Sequence, residues 1–563
     1  MSSEWESSST ICDHSCDTHP SSESTQHDVE KALPAPPTVA RTYPGSGTQQ
    51  DPYVVDWVSE QDPENPLNFH NCKKWIITSQ LAFCTWTISF SSSVYSGGLG
   101  TMARDLNISD NVAILGLSLY VLGFALGCAS FLTFCYAKNN QPLFTGLLQI
   151  FAPMGEMYGR RFVFFLTLAA YTVFQLEGCL AGRNVYALLS CRFFTGIFGS
   201  SPLTNAPSQI ADIWNARERG LASAIYSGMP FLGPIIGPVV GGYVVMKLDW
   251  HFNFVFMFIF SLLSLISGAI LTPETYTPVL LRRRAGKLTR ESKGIVHYVS
   301  VHDLGRSKSI SQAIFTNFSR PFVFLIKEPI VLAVACYISL VYGTLYALFA
   351  AFPIVFQEHR HFTSAEGGLA FTGIGIGIIF GLASTPIQNR IYWQAMEKSE
   401  TGRAAPEARL HQAMIGGVFI PIGLFWFAFS ASPSVHWLVP IVGSAFFGMG
   451  IAQILQSLTS YLMDAYELYF ASAVASTIVL RSVCAAFLPQ VVPVMFSRLG
   501  DEAAMSVFGA LGLICTPIPF LFWRYGQWIR SKSSVAYKEP PRSDSSSEIT
   551  RCETQSEKDV EHP

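Results

Sequence analysis

The chain has 563 residues, of which 50% are hydrophobic and 13% charged, against a charged share of about 25% on ordinary soluble domains. Water is therefore not its main solvent, and a soluble multidomain enzyme is excluded. A net charge of -2 leaves no basic surface for nucleic acid, so no such partner is expected.

Residues 1–73 are rich in Ser, Pro and acids and read as a disordered cytoplasmic tail. Cys12, His14, Cys16 and His19 are spaced like metal ligands but sit among serines, with no folded element to hold a tetrahedron. Neither a metal nor a cofactor is expected. The opening lacks the basic start and apolar stretch of a secretory signal, which leaves the first span to direct insertion. Apolar stretches then follow at 75–97, 112–134, 162–181, 185–206, 220–246, 251–272, 330–356, 367–387, 412–430, 435–462, 469–496 and 504–523, each long enough to cross about 30 Å of hydrocarbon as a helix. The polar stretch at 273–329 is a central cytoplasmic loop between an N-terminal six-helix half (74–272) and a C-terminal one (330–523), and 524–563 is a second disordered tail. The fold class is thus an all-α membrane protein of twelve transmembrane helices in two six-helix halves, a transporter architecture.

Lys and Arg concentrate in the even-numbered loops, while the odd ones hold only Arg104, Arg183, Lys247, Arg360 and Arg498. The positive-inside rule therefore places both termini in the cytoplasm. The basic run Arg282, Arg283, Arg284, Lys287, Arg290 and Lys293 faces the same side, acting as a topology determinant beside anionic lipid.

Within the spans only Arg192 and Arg481 carry a positive charge. An intramembrane Arg faces a cavity or a partner, so both are functional candidates. Span five holds Gly228, Pro230, Gly233, Pro234, Gly237, Pro238, Gly241 and Gly242. Its small residues form a smooth ridge and its prolines remove backbone donors, which suggests a kinked, gating helix. Between spans two and three stand Glu156, Gly159, Arg160 and Arg161, a charged turn suited to a cytoplasmic latch that pairs across the two halves. Among the acids Glu177 falls inside a span near its outer end, and Asp212 and Asp464 sit at inner ends. Glu177 and Asp464 are candidate proton carriers. Polar and aromatic candidates for a substrate cavity are Asn205, Tyr226, Tyr342, Tyr346, Gln453 and Gln456, together with Arg481. With two arginines and hardly a carboxylate, such a cavity suits neutral or weakly acidic amphipathic molecules.

From Asp62 to about Arg530 the chain resembles a fungal member of the major facilitator superfamily, in its twelve-span drug:proton antiporter family. The resemblance rests on Asn65-Pro66-Leu67-Asn68-Phe69, the Glu156 to Arg161 turn, Arg192 with Gly196, Gly233-Pro234-Ile235-Ile236-Gly237, Pro273-Glu274-Thr275-Tyr276 and Tyr461-Leu462-Met463-Asp464-Ala465-Tyr466. It implies that Arg192 takes part in proton coupling, that the Gly-Pro run favours antiport, and that Glu156, Arg160 and Arg161 form the conformational latch. Three departures stand against the pattern: Ala152 where the turn usually begins with Gly, Thr195 where many relatives have Gln, and an insertion at 128–150, which reads either as a retained intron or as a loop elaboration.

The resulting expectation is a proton-coupled antiporter that exports amphipathic small molecules such as drugs, toxins or secondary metabolites. It would sit in the plasma membrane, or else the vacuolar one, with protons and lipid as its other partners and one chain sufficient for a complete cavity. A proton-coupled importer or uniporter of a nutrient is the first alternative. A polytopic enzyme or receptor is the second, and it lacks support because the chain has neither a phosphate-binding Gly-Lys loop nor clustered His ligands.

Overall fold

In a bilayer every backbone amide and carbonyl needs a partner inside its own segment, and the long apolar runs meet that demand as helices. The computed structural model describes residues 43–128, 154–155, 158–215, 218–304, 322–399, 404–466 and 470–533. Strand β1 (Tyr53–Val55) and a 3-10 turn at Pro66–Asn68 precede the first half. That half runs through α1 (Asn71–Ser93), a 3-10 turn at Val94–Gly98, α2 (Leu99–Asp105), α3 (Asp110–Cys128), α4 (Arg160–Leu180), α5 (Val185–Ile213), α6 (Arg219–Lys247) and α7 (His251–Leu271). Helix α8 (Thr277–Glu291) and strand β2 (Tyr298–Ser300) lie in the link. The second half begins with α9 (Pro329–Phe352), which continues as a π-helix to Glu358. It goes on through α10 (Ser364–Leu369), α11 (Thr372–Ala383), α12 (Thr385–Glu397), α13 (His411–Ser430), α14 (Leu438–Ala465), α15 (Phe470–Leu499), α16 (Asp501–Cys515) and α17 (Pro517–Lys532).

Among the described residues, ten helical stretches are long and apolar enough to cross a membrane. Helices α1 and α5 have the length as well, at 23 and 29 residues. Composition alone disguises them, because Thr78, Gln80, Thr85 and Ser89 of α1, and Arg192, Ser200, Asn205 and Gln209 of α5, are buried against protein. With these two, the twelve crossings are present. Most of the insertion expected at 128–150 lies outside the described residues, as does the Cys12 to His19 cluster.

Trp214 at the end of α5 donates to the Thr78 hydroxyl at the start of α1 (3.0 Å), and Ser533 just past α17 donates to Glu328 just before α9 (3.0 Å). Ser92 at the far end of α1 meets Tyr346 in the far half of α9 (2.9 Å), so α1 and α9 run the same way. The face at their starts is called basal below, and the opposite face distal.

The assignment of residues 1–73 to a tail is corrected from Tyr43 onward. Strand β1 pairs in parallel with β2, Tyr53 opposite Tyr298, and Tyr43, Val55, Leu281, Ala285 and Tyr298 close a small separate core. The central loop is likewise more than a loop, since it supplies α8, whose Leu281 and Ala285 face this core while Arg283 and Lys287 face outward. Asp62 bonds Arg284 at 2.7 Å. Burial raises the Asp62 carboxyl, but Arg284 and the amides of Glu64 and Val58 outweigh it and hold the group below the usual carboxylate range. The Asn65 to Phe69 motif belongs to this clasp. Asn65 caps the 3-10 turn through the Leu67 amide (3.1 Å), and Asn68 donates to the carbonyls of Glu60 and Asp62 (2.7 and 3.0 Å).

Candidate functional site

At the basal face of the first half, a buried carboxylate organises the charges. Glu274, just past α7, accepts from the backbone amides of Arg160 (2.9 Å) and Arg161 (3.4 Å), the two first residues of α4. It also accepts from the amides of Thr275 and Tyr276, both at 3.1 Å. A helix N-terminus presents unpaired amides and a positive dipole end, and a carboxylate satisfies both. Gly159 leads into that end with φ +105, and a Cβ there would collide with the Glu274 carboxylate. The Arg160 side chain reaches Asp212 at the end of α5 (3.3 Å) and stacks over Tyr276 (4.9 Å), and Arg161 donates to the Ala269 carbonyl (3.1 Å).

The second half repeats the pattern. Arg409, two residues before α13, donates to Asp464 at the end of α14 (2.9 Å) and lies over the Tyr392 ring (3.5 Å). Beside it Arg530 grips Glu407 with two 2.8 Å bonds, and Tyr466 donates to Glu328 (2.9 Å). Among the described residues, the latch pattern makes no pair across the halves in this structure. The partners of Arg160 and Arg161 named above belong to the first half or to the residues just after α7, and those of Arg409 and Arg530 to the second half. Each charged cluster therefore braces its own half. Glu156 lies outside the described residues.

The halves meet instead through α6. Its helix runs unbroken past Pro230, Pro234 and Pro238, and its small residues serve two partners. Gly233, Gly237 and Gly241 press on the end of α1 around Ser89, Ser93 and Val94. Gly228 sits against Leu382, and Gly242 against the backbone of Ser364, both in the second half. Across the same seam Gly368 of α10 packs on the backbone of Pro238, and Gly375 of α11 on Ile235. Gln490 meets Ser118 at 3.1 Å in a parallel contact between α15 and α3. These cross-half contacts, with Ser92 and Tyr346, lie mainly in the distal part of the molecule, which is closed there.

A methyl group on Gly242 would strike the Ser364 carbonyl. Overpacking of this kind costs about 1–3 kcal/mol, and here it falls on an interface between halves rather than inside one. Gly242→Ala is expected to open the distal seam, raising maleimide labelling of Ser92→Cys, in a background without other cysteines, by about tenfold with little change in thermal midpoint. Unchanged labelling would show that the seam does not gate.

Arg192 is fully buried in α5, where α1 gives way to its 3-10 turn. It donates to the carbonyls of Ser91 (2.8 Å), Ser92 (3.0 Å) and Gly116 (3.3 Å), and lies over the rings of Tyr120 (4.3 Å) and Tyr95 (4.8 Å). A cation at a helix C-terminus caps freed carbonyls and meets the negative end of the dipole. Glu177 is exposed near the distal end of α4, and Asp464 lies in its pair with Arg409.

Of the cavity candidates, the structure brings together Arg481, Tyr342, Tyr346 and Tyr226. Arg481 lies over the Tyr342 ring (4.9 Å), Tyr342 packs on Tyr346 (5.1 Å), and Tyr226 meets Thr85 (3.4 Å). Asn205 is buried elsewhere, donating to Ser201 (3.1 Å), and Gln453 ties α14 to Ser384 (3.1 Å). Gln456 is partly exposed on α14. Glu274 stood in the sequence only as part of a family motif, and Arg409, Glu407 and Arg530 were not singled out. A usable signal existed: Arg160 and Asp212 are 52 residues apart and Arg409 and Asp464 are 55 apart, at matching places in the two halves.

The sequence profile of the Major Facilitator Superfamily matches residues 81–489. The chain is 44% identical over 502 residues to the MFS-type efflux pump MFS2 of Trichophyton rubrum, covering 89% of this chain and 80% of that one. It is 42% identical over 497 residues to the major facilitator superfamily multidrug transporter mdrA of Aspergillus fumigatus, covering 88% and 78%. Among solved structures, the xylose transporter XylE of E. coli in a partially occluded inward-open conformation aligns with a TM-score of 0.54 at 16% identity, covering 81% of this chain and 98% of that one. With most of its length matched and its helices in the same fold, the chain belongs to the Major Facilitator Superfamily.

Proposed function

We propose that this protein is a proton-driven antiporter that exports amphipathic small molecules, drugs or secondary metabolites among them, from the cytoplasm. Relatives bearing the names efflux pump and multidrug transporter support the direction of transport. The observation that carries the mechanism is the division of contacts: rigid charged clusters inside each half, and a glycine-smoothed seam between α6 and α10–α11. Two braced bodies with a slippery contact can rock about a midplane site. The excess of Lys and Arg in the even loops supports a cytoplasmic basal face, and the membrane of this reading is the plasma membrane, across which an exporter clears the cytoplasm. One chain holds both halves and works as a monomer.

Proton coupling then falls on the basal ion pairs. A proton on Asp464 would release Arg409, and one on Asp212 would release Arg160, loosening the end of a half as it moves. Arg192 contributes by fixing the break at the end of α1, and Glu177 lies too near the distal surface to share in that step.

The test is efflux of neutral, anionic and cationic amphipathic dyes from a host stripped of its own exporters, with and without a protonophore. The chain should lower cell-associated dye several-fold, and the protonophore should abolish the effect. Dye accumulation above the empty host would reverse the direction, and efflux indifferent to the protonophore would remove the antiport.

A further inference from the structure

The two intramembrane arginines have opposite surroundings. Arg192 commits its donors to three carbonyls and two rings. Arg481 has a buried Nε with no partner among the described residues, and its guanidinium lies over the face of Tyr342. It stands eleven residues into α15, roughly 16 Å from that helix's start and close to mid-membrane. A guanidinium at such depth persists only beside a partner or in a polar cavity.

Its neighbours come from both halves. Tyr342 and Tyr346 come from α9, and the Tyr346 hydroxyl bonds Ser92 of the other half (2.9 Å). Tyr226 comes from α6 and bonds Thr85 of α1. Arg481 is within electrostatic reach of both Tyr226 and Tyr346, so its charge sits where the halves face each other. Among the described residues, acids of the spanning helices stand near helix ends, Asp212 and Asp464 among those at the basal face and Glu177 and Asp501 among those at the distal one. Among the described residues, no carboxylate of these helices lies at this depth to compete for the guanidinium.

We propose that Arg481 anchors the carboxylate of an anionic amphipathic substrate, whose apolar body lies against the rings of Tyr342 and Tyr226. The inference rests on the transport reading above and narrows its substrate class. The planar fork of Arg matches the two oxygens of a carboxylate, its free Nε supplies one donor, and the rings cover an aromatic or aliphatic body.

Binding to the purified full-length protein separates this site from the transport reading. Three probes on one scaffold are compared: 2-naphthoate, 2-naphthamide and 2-naphthylmethylamine. Wild type should bind the carboxylate at least about tenfold more tightly than the other two. Arg481→Gln should erase that preference while holding the amide as wild type does, and Arg481→Lys should keep part of it. A preference for the amine, equal binding of the three, binding of none, or a carboxylate preference that survives Arg481→Gln would overturn the proposal. Equal loss of all three probes in both variants would also overturn it, since it marks a packing role. Protonophore-insensitive efflux alongside the expected binding pattern would sink the antiport reading and leave the anion site standing.

Discussion

Glu274→Ala is expected to lower the stability of the first half by about 3 kcal/mol and to cut transport more than tenfold at normal surface abundance. The carboxylate is buried, and it is the acceptor for four backbone amides, two of them at the start of α4. Removing it leaves those donors facing protein with no oxygen in reach, frees Arg283 from its 3.7 Å contact, and takes away a charge near the Arg160–Asp212 pair. Glu274→Gln should recover part of the loss, because its amide keeps one acceptor oxygen but turns a donor toward the Arg161 amide. The check is the thermal midpoint of the purified protein together with dye efflux per molecule at the surface. A midpoint in Glu274→Ala equal to wild type would mean that water satisfies the helix end and that the cluster does not brace the half.

The spans were legible because lipid enforces them. A run such as His251–Leu271, without a single Asp, Glu, Lys or Arg, has no structure other than a helix open to it in hydrocarbon. The N-terminal clasp was not legible. Its strands are three residues each and pair Tyr53 with Tyr298, so neither carries a periodic signal and each is meaningful only once the other is placed. Glu274 was hidden for a similar reason: its work is done on amides of a helix more than a hundred residues earlier. Span five was half read. Its glycines do make smooth surfaces, but spacing could not say that Gly233, Gly237 and Gly241 press on α1 while Gly228 and Gly242 face the other half. The two arginines looked alike as sequence, both lone charges in apolar runs, and only the break in α1 at Val94 shows why one is saturated with carbonyls and the other is not.

That break makes Arg192 the second severe position. Where α1 stops being helical, the carbonyls of Ser91 and Ser92 lose their place in the helix ladder, and Arg192 supplies the replacement donors while also holding Gly116 of α3. Arg192→Ala should cost about 3 kcal/mol or more, since each buried carbonyl left without a donor costs about 1–3 kcal/mol. Arg192→Lys should fare little better. An ammonium is a point charge whose donors do not spread across three carbonyls on two helices, and it stacks less well between Tyr95 and Tyr120. Transport should fall by about a hundredfold or more in both, with the thermal midpoint falling in step. The midpoint separates two roles. If Arg192 works by fixing the end of α1, loss of activity and loss of stability travel together, and the pH profile of residual transport keeps its shape. An Arg192→Lys protein with a wild-type midpoint and a displaced pH profile would instead assign the guanidinium to the proton step. An arginine stays charged across the physiological range, so it would act there through the field it places on its neighbours rather than by releasing a proton itself.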